Sequence, residues 1–295
     1  MSMKKILNYI PLFFLLVTIG TACKKHVVEY DSYDLPKESA EFQLHYFVPV
    51  VTGAANNITK VEINNQLYAN NTTPLAPYNA IPSGGVGLFF TAPSGATNIK
   101  LYRGANAELV YDQNVTLAPG KQNVFVHDFT KPPVVIDNGY PYNKIVTDST
   151  GTFAWVKFYN FLYETAGVPT SYRLQYQYQY NTDPGPATTH TNLMSDWKNL
   201  GNPVAFGEST GWEQVPVIKH ADRLVTQGAE RIDYRIRMVD NNGQDLGPLK
   251  VRNSTNAMVD YADWWSATIG RRMHHIFSGY RQATPVSAVR QFFAL

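Results

Sequence analysis

This sequence has little charge, one cysteine and no apolar run long enough to cross a bilayer. Charged residues make up 16% of its 295 residues, below the roughly 25% of average soluble proteins. The single cysteine excludes an internal disulfide, since a disulfide needs two cysteines. The net charge of +2, without a basic stripe interleaved with aromatics, predicts that the protein has no nucleic-acid partner. What the chain does have is 19 Tyr, 15 Phe and many turn residues, which favour strands over long surface helices.

Motifs for common catalytic and cofactor chemistry are also missing. The chain has no G-x-S-x-G nucleophile elbow, no P-loop and no G-x-G-x-x-G. His274 and His275 are adjacent, so in a strand they point to opposite faces and cannot readily hold one metal ion; we expect both at a strand surface. We therefore predict no metal, no cofactor and no enzyme activity. A pair of loop carboxylates, as in glycosidases, stays open and would draw on Asp196, Glu208 and Glu213.

The N-terminal stretch ends in the only cysteine, Cys23. Two lysines, an interrupted apolar run over residues 6–19 and small residues precede it, in the order of a signal peptide. This order resembles a bacterial lipobox, although Gly20 stands where Leu is usual. The resemblance implies cleavage before Cys23 and a lipid on its sulfur, so the membrane is a predicted partner. The alternative is an ordinary secretory signal that leaves a free thiol.

The residue after the cysteine bears on the location. Lys24 replaces the Asp that retains lipoproteins in the inner membrane of enteric bacteria, so by analogy we predict an outer-membrane lipoprotein of a Gram-negative bacterium. Whether it faces the periplasm or the cell surface stays open.

Beyond the anchor, the hydrophobic pattern has a period of two, interrupted by Gly, Pro and Asn turns. Val61 and Ile63, for example, alternate with polar neighbours. Short alternating strands at this spacing are typical of antiparallel sandwiches. The predicted fold is therefore all-β, with two tandem antiparallel, Ig-like β-sandwich modules. The predicted segments are a signal peptide (1–22), a tether (23–39), a first module (40–133), a linker (134–150) and a second module (151–295).

The second module repeats the first with insertions. FAWVKFYNFL from Phe153 resembles FQLHYFVPVV from Phe42, and the separation between matching residues grows along the chain. The insertions are expected near residues 182–202 and 240–265. Two such modules behind a lipobox resemble a family of uncharacterised cell-envelope lipoproteins, described as a domain of unknown function. The motifs that carry this resemblance over residues 40–295 are Val61-Glu62-Ile63-Asn64, Tyr78 to Pro82 with Gly84, Thr116 to Val126 and, in the second copy, Asn160, Trp212 to Pro216 and Gly270.

Aromatic residues of the second module are the candidate binding residues. In residues 172–180 a tyrosine face alternates with an Arg/Gln face; we expect the tyrosines to pack on the facing sheet, and an exposed platform is the alternative. Trp264 and Trp265 are adjacent, so in a strand one of them is exposed, whereas a short helix would bury both. The candidate ligand-binding residues are Trp197, Trp212, Trp264 and Trp265.

These observations predict a non-catalytic binding or structural protein that contacts an envelope protein or a glycan. The alternative is a glycan-binding accessory lipoprotein of a polysaccharide-uptake system, and a sandwich-fold hydrolase ranks third. Convergence of the four tryptophans on one exposed face favours glycan, and scattered burial favours a scaffold.

Overall fold

The computed structural model describes residues 38–83, 87–139, 153–182, 193–218 and 229–294. Residues 37–295 form one compact unit. The core clusters of the described residues all lie inside it, so we expect this unit to fold without residues 1–36. The predicted signal peptide, Cys23 and nearly all of the tether lie outside the described residues. No helix of the described ranges is long and apolar enough to span a membrane.

The fold is all-β, as the sequence predicts, with one 3₁₀ turn at Ala54–Asn56 among the described residues. The strands of the first half are β1 (Ser39–Tyr46), β2 (Ile58–Ile63), β3 (Gln66–Ala69), β4 (Asn79–Ile81), β5 (Phe90–Pro93), β6 (Gly95–Arg103), β7 (Glu108–Leu117), β8 (Gly120–Val126) and β9 (Val134–Asp137). Those of the second half are β10 (Phe153–Thr165), β11 (Val168–Pro169), β12 (Arg173–Tyr180), β13 (Lys198–Asn199), β14 (Glu213–Pro216), β15 (Ala229–Val239), β16 (Asp245–Pro248), β17 (Lys250–Arg252), β18 (Met258–Asp260), β19 (Ala262–Thr268), β20 (Arg272–Tyr280) and β21 (Ala288–Phe293).

The described strands form four larger sheets and one hairpin. Sheet 1 has the order β4-β1-β8-β9, with β5 also on β1, and sheet 2 has the order β3-β2-β6-β7. Sheet 3 has the order β11-β10-β20-β21, with β14 also on β10. Sheet 4 has the order β13-β12-β15-β16, with β19 also on β15, and β17 pairs with β18.

Strand pairing recurs between the two halves. β1 is joined by β4 and β8 in sheet 1, as β10 is joined by β14 and β20 in sheet 3. The order β3-β2-β6-β7 has its counterpart in β13-β12-β15-β19. Strands β16, β17 and β18 interrupt the second copy, inside the insertion expected near residues 240–265. This recurrence supports the repeat, while the division into two modules and its boundaries stay a prediction.

One detail differs from a purely antiparallel sandwich. The first and last long strands of each half, β1 with β8 and β10 with β20, run parallel. Parallel neighbours need a long connection between them. Here each connection passes through the facing sheet and also adds short strands to the sheet it started from, β4 and β5 in sheet 1 and β11 and β14 in sheet 3. The predicted linker also begins in a strand, because β9 pairs antiparallel with β8.

Each half has a sandwich-type core between its two sheets. The period of two places Phe42 and Leu44 of β1 against Val61 of β2 and Leu101 of β6. In the second half, Phe158 and Phe277 of sheet 3 pack against the core side chains of sheet 4: Leu174, Tyr176, Ile232, Tyr234, Ile236 and Trp265. These residues have less than about 2% of their surface exposed.

A third apolar layer joins the two halves, and it lies between the outer faces of sheets 1 and 3. Phe125 of β8 lies 4.6 Å from Phe161 of β10, between ring centroids. Phe47 lies 5.8 Å from Phe292 of β21. Because both faces of β1, β10 and β20 are covered, these strands are buried almost without interruption. The layers therefore stack in the order sheet 2, sheet 1, sheet 3, sheet 4, and the free outer faces belong to sheets 2 and 4.

Candidate functional site

The outer face of sheet 4 carries a polar and aromatic surface. Alternation along β12 turns Tyr176 and Tyr178 into the core, so the prediction that the tyrosine face packs on the facing sheet is confirmed. The opposite face of β12 carries Gln177 and Gln179, which are partly exposed, and Gln175, which is buried and donates to the Gly201 carbonyl. Strand β15 alternates in the same way, with Ile and Tyr inside and Arg231, Asp233, Arg235 and Arg237 outside.

The strand register lines these side chains up in rows across the sheet. Gln179 is paired with Asp233, and Asp233 with Trp264 of β19. Gln177 is paired with Arg235, which in turn faces Ala262. The third row pairs Gln175 with Arg237 and Arg237 with Pro248. Directly opposed residues on one face have their Cβ atoms about 5 Å apart, so neighbouring side chains within each row are close enough to contact one another.

A groove of about 350 Å³ lies over the first row. Two indole rings border it: Trp264 has 50% of its surface exposed, and Trp197 is half-buried just before β13. The Arg231 guanidinium lies 5.2 Å from the Trp264 ring centroid, and that of Arg235 lies 4.2 Å from the Trp197 centroid. The full lining is Gln179, Trp197, Arg231, Asp233, Tyr234, Ala262, Asp263 and Trp264.

A second hollow of about 280 Å³ lies further along the same face, over the third row. Its walls are amides, one ion pair and loop backbone, in contrast to the aromatic first groove. Its lining is Gln175, Gln177, Asn199, Gly201, Asn202, Pro203, Arg237, Val239, Gly243 and Asp245.

The arginines of this face are held in place by neighbouring acceptors. Arg231 Nε lies 2.7 Å from an Asp233 carboxylate oxygen, and Arg237 Nε lies 2.7 Å from one of Asp245. Arg235 Nε donates to the Gln177 side-chain oxygen at 2.9 Å. The hydrogen bond from Arg237 lowers the pKa of Asp245. The face therefore presents polar groups whose positions are fixed before any ligand arrives.

The four predicted tryptophans do not all converge on one exposed face. Trp197 and Trp264 share the groove. Trp265 points to the other face of β19, where it is buried 5.0 Å from the His275 ring. Trp212 is half-buried, lies 5.1 Å from the His274 ring and donates its indole N–H to the Asn138 carbonyl at 2.7 Å. The adjacent Trp264 and Trp265 are thus in an extended strand with one ring exposed, and the helix alternative does not apply.

The histidines of β20 lie on opposite faces, as expected, but the expectation of a surface location is wrong. His274 is buried between sheets 1 and 3, 2.8 Å from the Tyr159 hydroxyl, and His275 is buried between sheets 3 and 4, 3.1 Å from the Tyr176 hydroxyl. Burial lowers the pKa of His275 to about 3 and that of His274 well below its usual value. The period of two predicts on which face of a strand a side chain lies, but it does not predict whether a second sheet covers that face.

A polar network accompanies His274 in the layer between sheets 1 and 3. Asn123 lies 3.2 Å from a His45 ring nitrogen and 3.5 Å from the Tyr159 hydroxyl. Lys157 donates to the carbonyls at residues 137 and 138, at 2.6 Å and 3.2 Å. Burial lowers the pKa of His45 to about 3 and that of Lys157 to about 8. These groups are enclosed, so they affect the stability of the layer and do not contact a solute.

The described residues give little structural support for a metal site or for a catalytic role of Glu208. Among the described residues, no group of three or more His, Cys, Asp or Glu is placed to hold a metal ion. Glu208 accepts a hydrogen bond from the Ala205 backbone N–H at 2.9 Å and lies 3.7 Å from Arg173. This carboxylate closes a loop turn, a structural role.

Comparison with known proteins gives no assignment. No protein-family model matches the chain, and no curated protein matches it. The resemblance to cell-envelope lipoproteins therefore stays a prediction.

The sequence reasoning missed the charged residues of β15. Arg231, Asp233, Arg235 and Arg237 form the centre of the outer face, yet none was a candidate. Their signal is the alternation R-I-D-Y-R-I-R in residues 231–237, which shows a strand with one apolar face and one fully charged face.

Proposed function

We propose that this chain is an anchored outer-membrane lipoprotein that binds glycan, without catalysis, on the outer face of sheet 4. The observation that carries the proposal is the pair of indole rings, Trp197 and Trp264, on one open groove with amide, carboxylate and guanidinium groups between them. Residues 1–22 would be removed, and the lipid on Cys23 and the tether would hold the two proposed sandwich modules at the membrane. Two or three acyl chains give stable attachment.

The chemistry of the groove suits a sugar. A pyranose ring has apolar C–H faces and a rim of hydroxyl groups, so it needs a flat apolar partner beside hydrogen-bonding groups of both kinds. Trp264 offers an exposed indole face, and Gln179, Asp233 and Arg231 offer donors and acceptors within the same groove. Binding sites commonly combine aromatic walls with a few fixed polar groups. A more specific version of this proposal is that the protein is an accessory lipoprotein of a polysaccharide-uptake system.

Binding is tested on residues 24–295 with a glycan array followed by calorimetry. Trp264→Ala and Trp197→Ala should each weaken binding about two- to twelvefold, because each removes one stacking surface of roughly 0.5–1.5 kcal/mol. The matched control is Phe89→Ala, since Phe89 is also a half-buried ring under a cation, with Lys121 Nζ 5.2 Å from its centroid. Glycan binding that survives both Trp changes would contradict the assigned face. Capture of an envelope protein without any glycan signal would contradict the ligand class.

The anchor is tested separately by cell fractionation. The native chain should be found with the outer membrane and incorporate labelled fatty acid, whereas Cys23→Ser should do neither. Equal membrane association of Cys23→Ser would exclude the lipid anchor.

A further inference from the structure

We propose that the face of sheet 4 binds an extended and uncharged glycan segment of about three to four sugar units, laid along β12 and β15. This inference rests on the proposed function and adds the length, the direction and the charge class of the ligand.

The length follows from the two hollows. Gln179 lines the first hollow and Gln175 lines the second, and both belong to the outer face of β12. Four residues of a strand span about 13 Å at about 3.3 Å each, a length close to that of three linked sugar rings. The indole rings lie at one end of this span, so a chain that stacks there and also reaches the second hollow must continue for several units. A single terminal sugar would fill only one hollow.

The direction follows from what separates the two hollows. Gln177 and Arg235 lie between them, joined by a hydrogen bond of 2.9 Å. Arg235 is also held 4.2 Å from the Trp197 ring, so its side chain lies flat across β12 and does not stand upright from the sheet. Ala262, its partner on β19, has a short side chain. A ligand that reaches from one hollow to the other must therefore pass along the strand direction over the Gln177 and Arg235 side chains.

The charge class follows from the ion pairs of the face. The two hollows are lined by Arg231 and Arg237 with Asp233, Asp245 and Asp263, and Arg235 lies between the hollows, so cations and anions are equal in number. Each arginine already has an acceptor within 3 Å. An acidic sugar could use the remaining N–H groups of these arginines, but it would lie beside the carboxylates of Asp233, Asp245 and Asp263, which repel it. Neutral hydroxyl groups can add to the existing pairs at no such cost.

The two ends of the groove should contribute differently. Trp264 and Trp197 stack against ring faces, and this contribution is shared by short and long ligands. Asn199 lines only the second hollow and donates nothing to the first; its side-chain oxygen accepts from Gln177 at 2.8 Å. Its loss should therefore affect long ligands alone.

The test is calorimetry on residues 24–295 with ladders of neutral gluco-, manno-, xylo- and galacto-oligosaccharides of two to six units. Ladders of the corresponding uronic acids serve as the acidic probes. For the neutral ladder that binds, affinity should rise at least tenfold between the disaccharide and the tetrasaccharide and then level off. Asn199→Ala should remove most of that rise and leave the disaccharide affinity unchanged, whereas Trp264→Ala should weaken every member. Asn114→Ala, an exposed strand asparagine on sheet 2, is the matched control and should change nothing.

The possible outcomes distinguish a failure of this inference from a failure of the proposed function. Equal affinities for disaccharide and tetrasaccharide, both lost in Trp264→Ala, would overturn the extended site and leave glycan binding intact. Tighter binding of the uronic acid ladder, weakened by salt, would overturn the charge class alone. Failure of every ladder to bind would overturn the glycan function together with the inference.

Discussion

Mild acid should destabilise this fold strongly, because three histidines are buried in their neutral form. His45, His274 and His275 are fully buried. Burial holds the pKa of His45 and of His275 at about 3 and that of His274 well below its usual value. In the unfolded chain each histidine titrates near about 6.5. Between these values the unfolded state binds protons that the folded state does not, so the free energy of unfolding falls as the pH falls below about 6.5.

The size of the effect follows from the same linkage. At one pH unit below the unfolded pKa, each histidine removes about RT ln 11, or about 1.4 kcal/mol, of stability. The three together remove about 4 kcal/mol between about pH 7.5 and about pH 5.5. Domains are stable by roughly 5–15 kcal/mol in total, so this loss is large. It corresponds to a drop of roughly 10 °C in the melting temperature for a unit of this size.

The pH range in which the histidines lower the stability can be separated from the range in which the carboxylates lower it. The pKa of Glu62 is lowered, first by its hydrogen bond from Lys60 and then by that from Tyr102. The stability that this carboxylate contributes is present above the unfolded pKa of about 4.3 and is lost only below it. A loss of stability that is already advanced at about pH 5.5 therefore belongs to histidine.

The assay is urea unfolding of residues 24–295, followed by tryptophan fluorescence at several pH values from about 7.5 to about 5.5. The slope of unfolding free energy against pH should approach about three to four protons, because the buried His127, whose pKa burial also lowers, adds to the other three. Replacing His275 with Gln should lower that slope by about one proton, whatever it does to the stability itself. Phe125→Leu is the control, because the Phe125 ring stacks on His45 at 4.5 Å and does not titrate; it should lower stability without changing the slope. An unfolding midpoint that is the same at both ends of the pH range would refute the reasoning.

Three further outcomes are expected. Gly279→Ala should lower the stability by roughly 2–4 kcal/mol, because the φ of Gly279 is +113° and a Cβ there would lie 2.7 Å from a backbone atom of the following loop. Gly120→Ala should lower it by about 1 kcal/mol, because Gly120 has a φ of +93° but open space around the Cβ. Thermal melts of the two variants test this difference. Deleting residues 290–295 should lower the melting temperature or abolish cooperative unfolding, since it removes most of the ladder between β21 and β20, and an unchanged melt would contradict this. Above about pH 10 stability should fall, because burial raises the pKa of Tyr159 and Tyr176, so that the unfolded chain loses protons that the folded chain keeps; pH-dependent melts followed by circular dichroism test this.

Much of the fold could be predicted from local alternation. The period of two gave the all-β class, the inward tyrosines of β12 and the opposite faces of His274 and His275. These features depend on one strand at a time, so the sequence of that strand is enough.

The packing of sheet 1 on sheet 3 depends on which surfaces meet, and alternation within a strand does not carry that information. A signal was nevertheless present. Residues 153–163, FAWVKFYNFLY, form an almost continuous apolar run, which is typical of a strand that is buried on both faces. Lys157 and Asn160 obscured it, although both are buried: Lys157 donates to two backbone carbonyls, and Asn160 donates to the Val204 carbonyl at 3.2 Å.

The same layering narrows the choice of a binding face. Because sheets 1 and 3 cover each other, a solute that meets a sheet face must use sheet 2 or sheet 4. On sheet 2 three polar side chains satisfy one another: Lys60 lies 2.6 Å from Glu62, and Tyr102 donates to Glu62 at 2.8 Å while its ring lies 4.4 Å from the Lys60 ammonium. On sheet 4 the polar groups are likewise paired, but Trp264 keeps half of its surface exposed beside a groove. An exposed indole gains free energy from any flat apolar partner that displaces its water, whereas a paired ion loses hydration when it is covered. The proposed site is on the outer face of sheet 4 because its exposed indole lies beside a groove; the exposed Leu67 and Leu109 of sheet 2 are aliphatic and offer no flat ring.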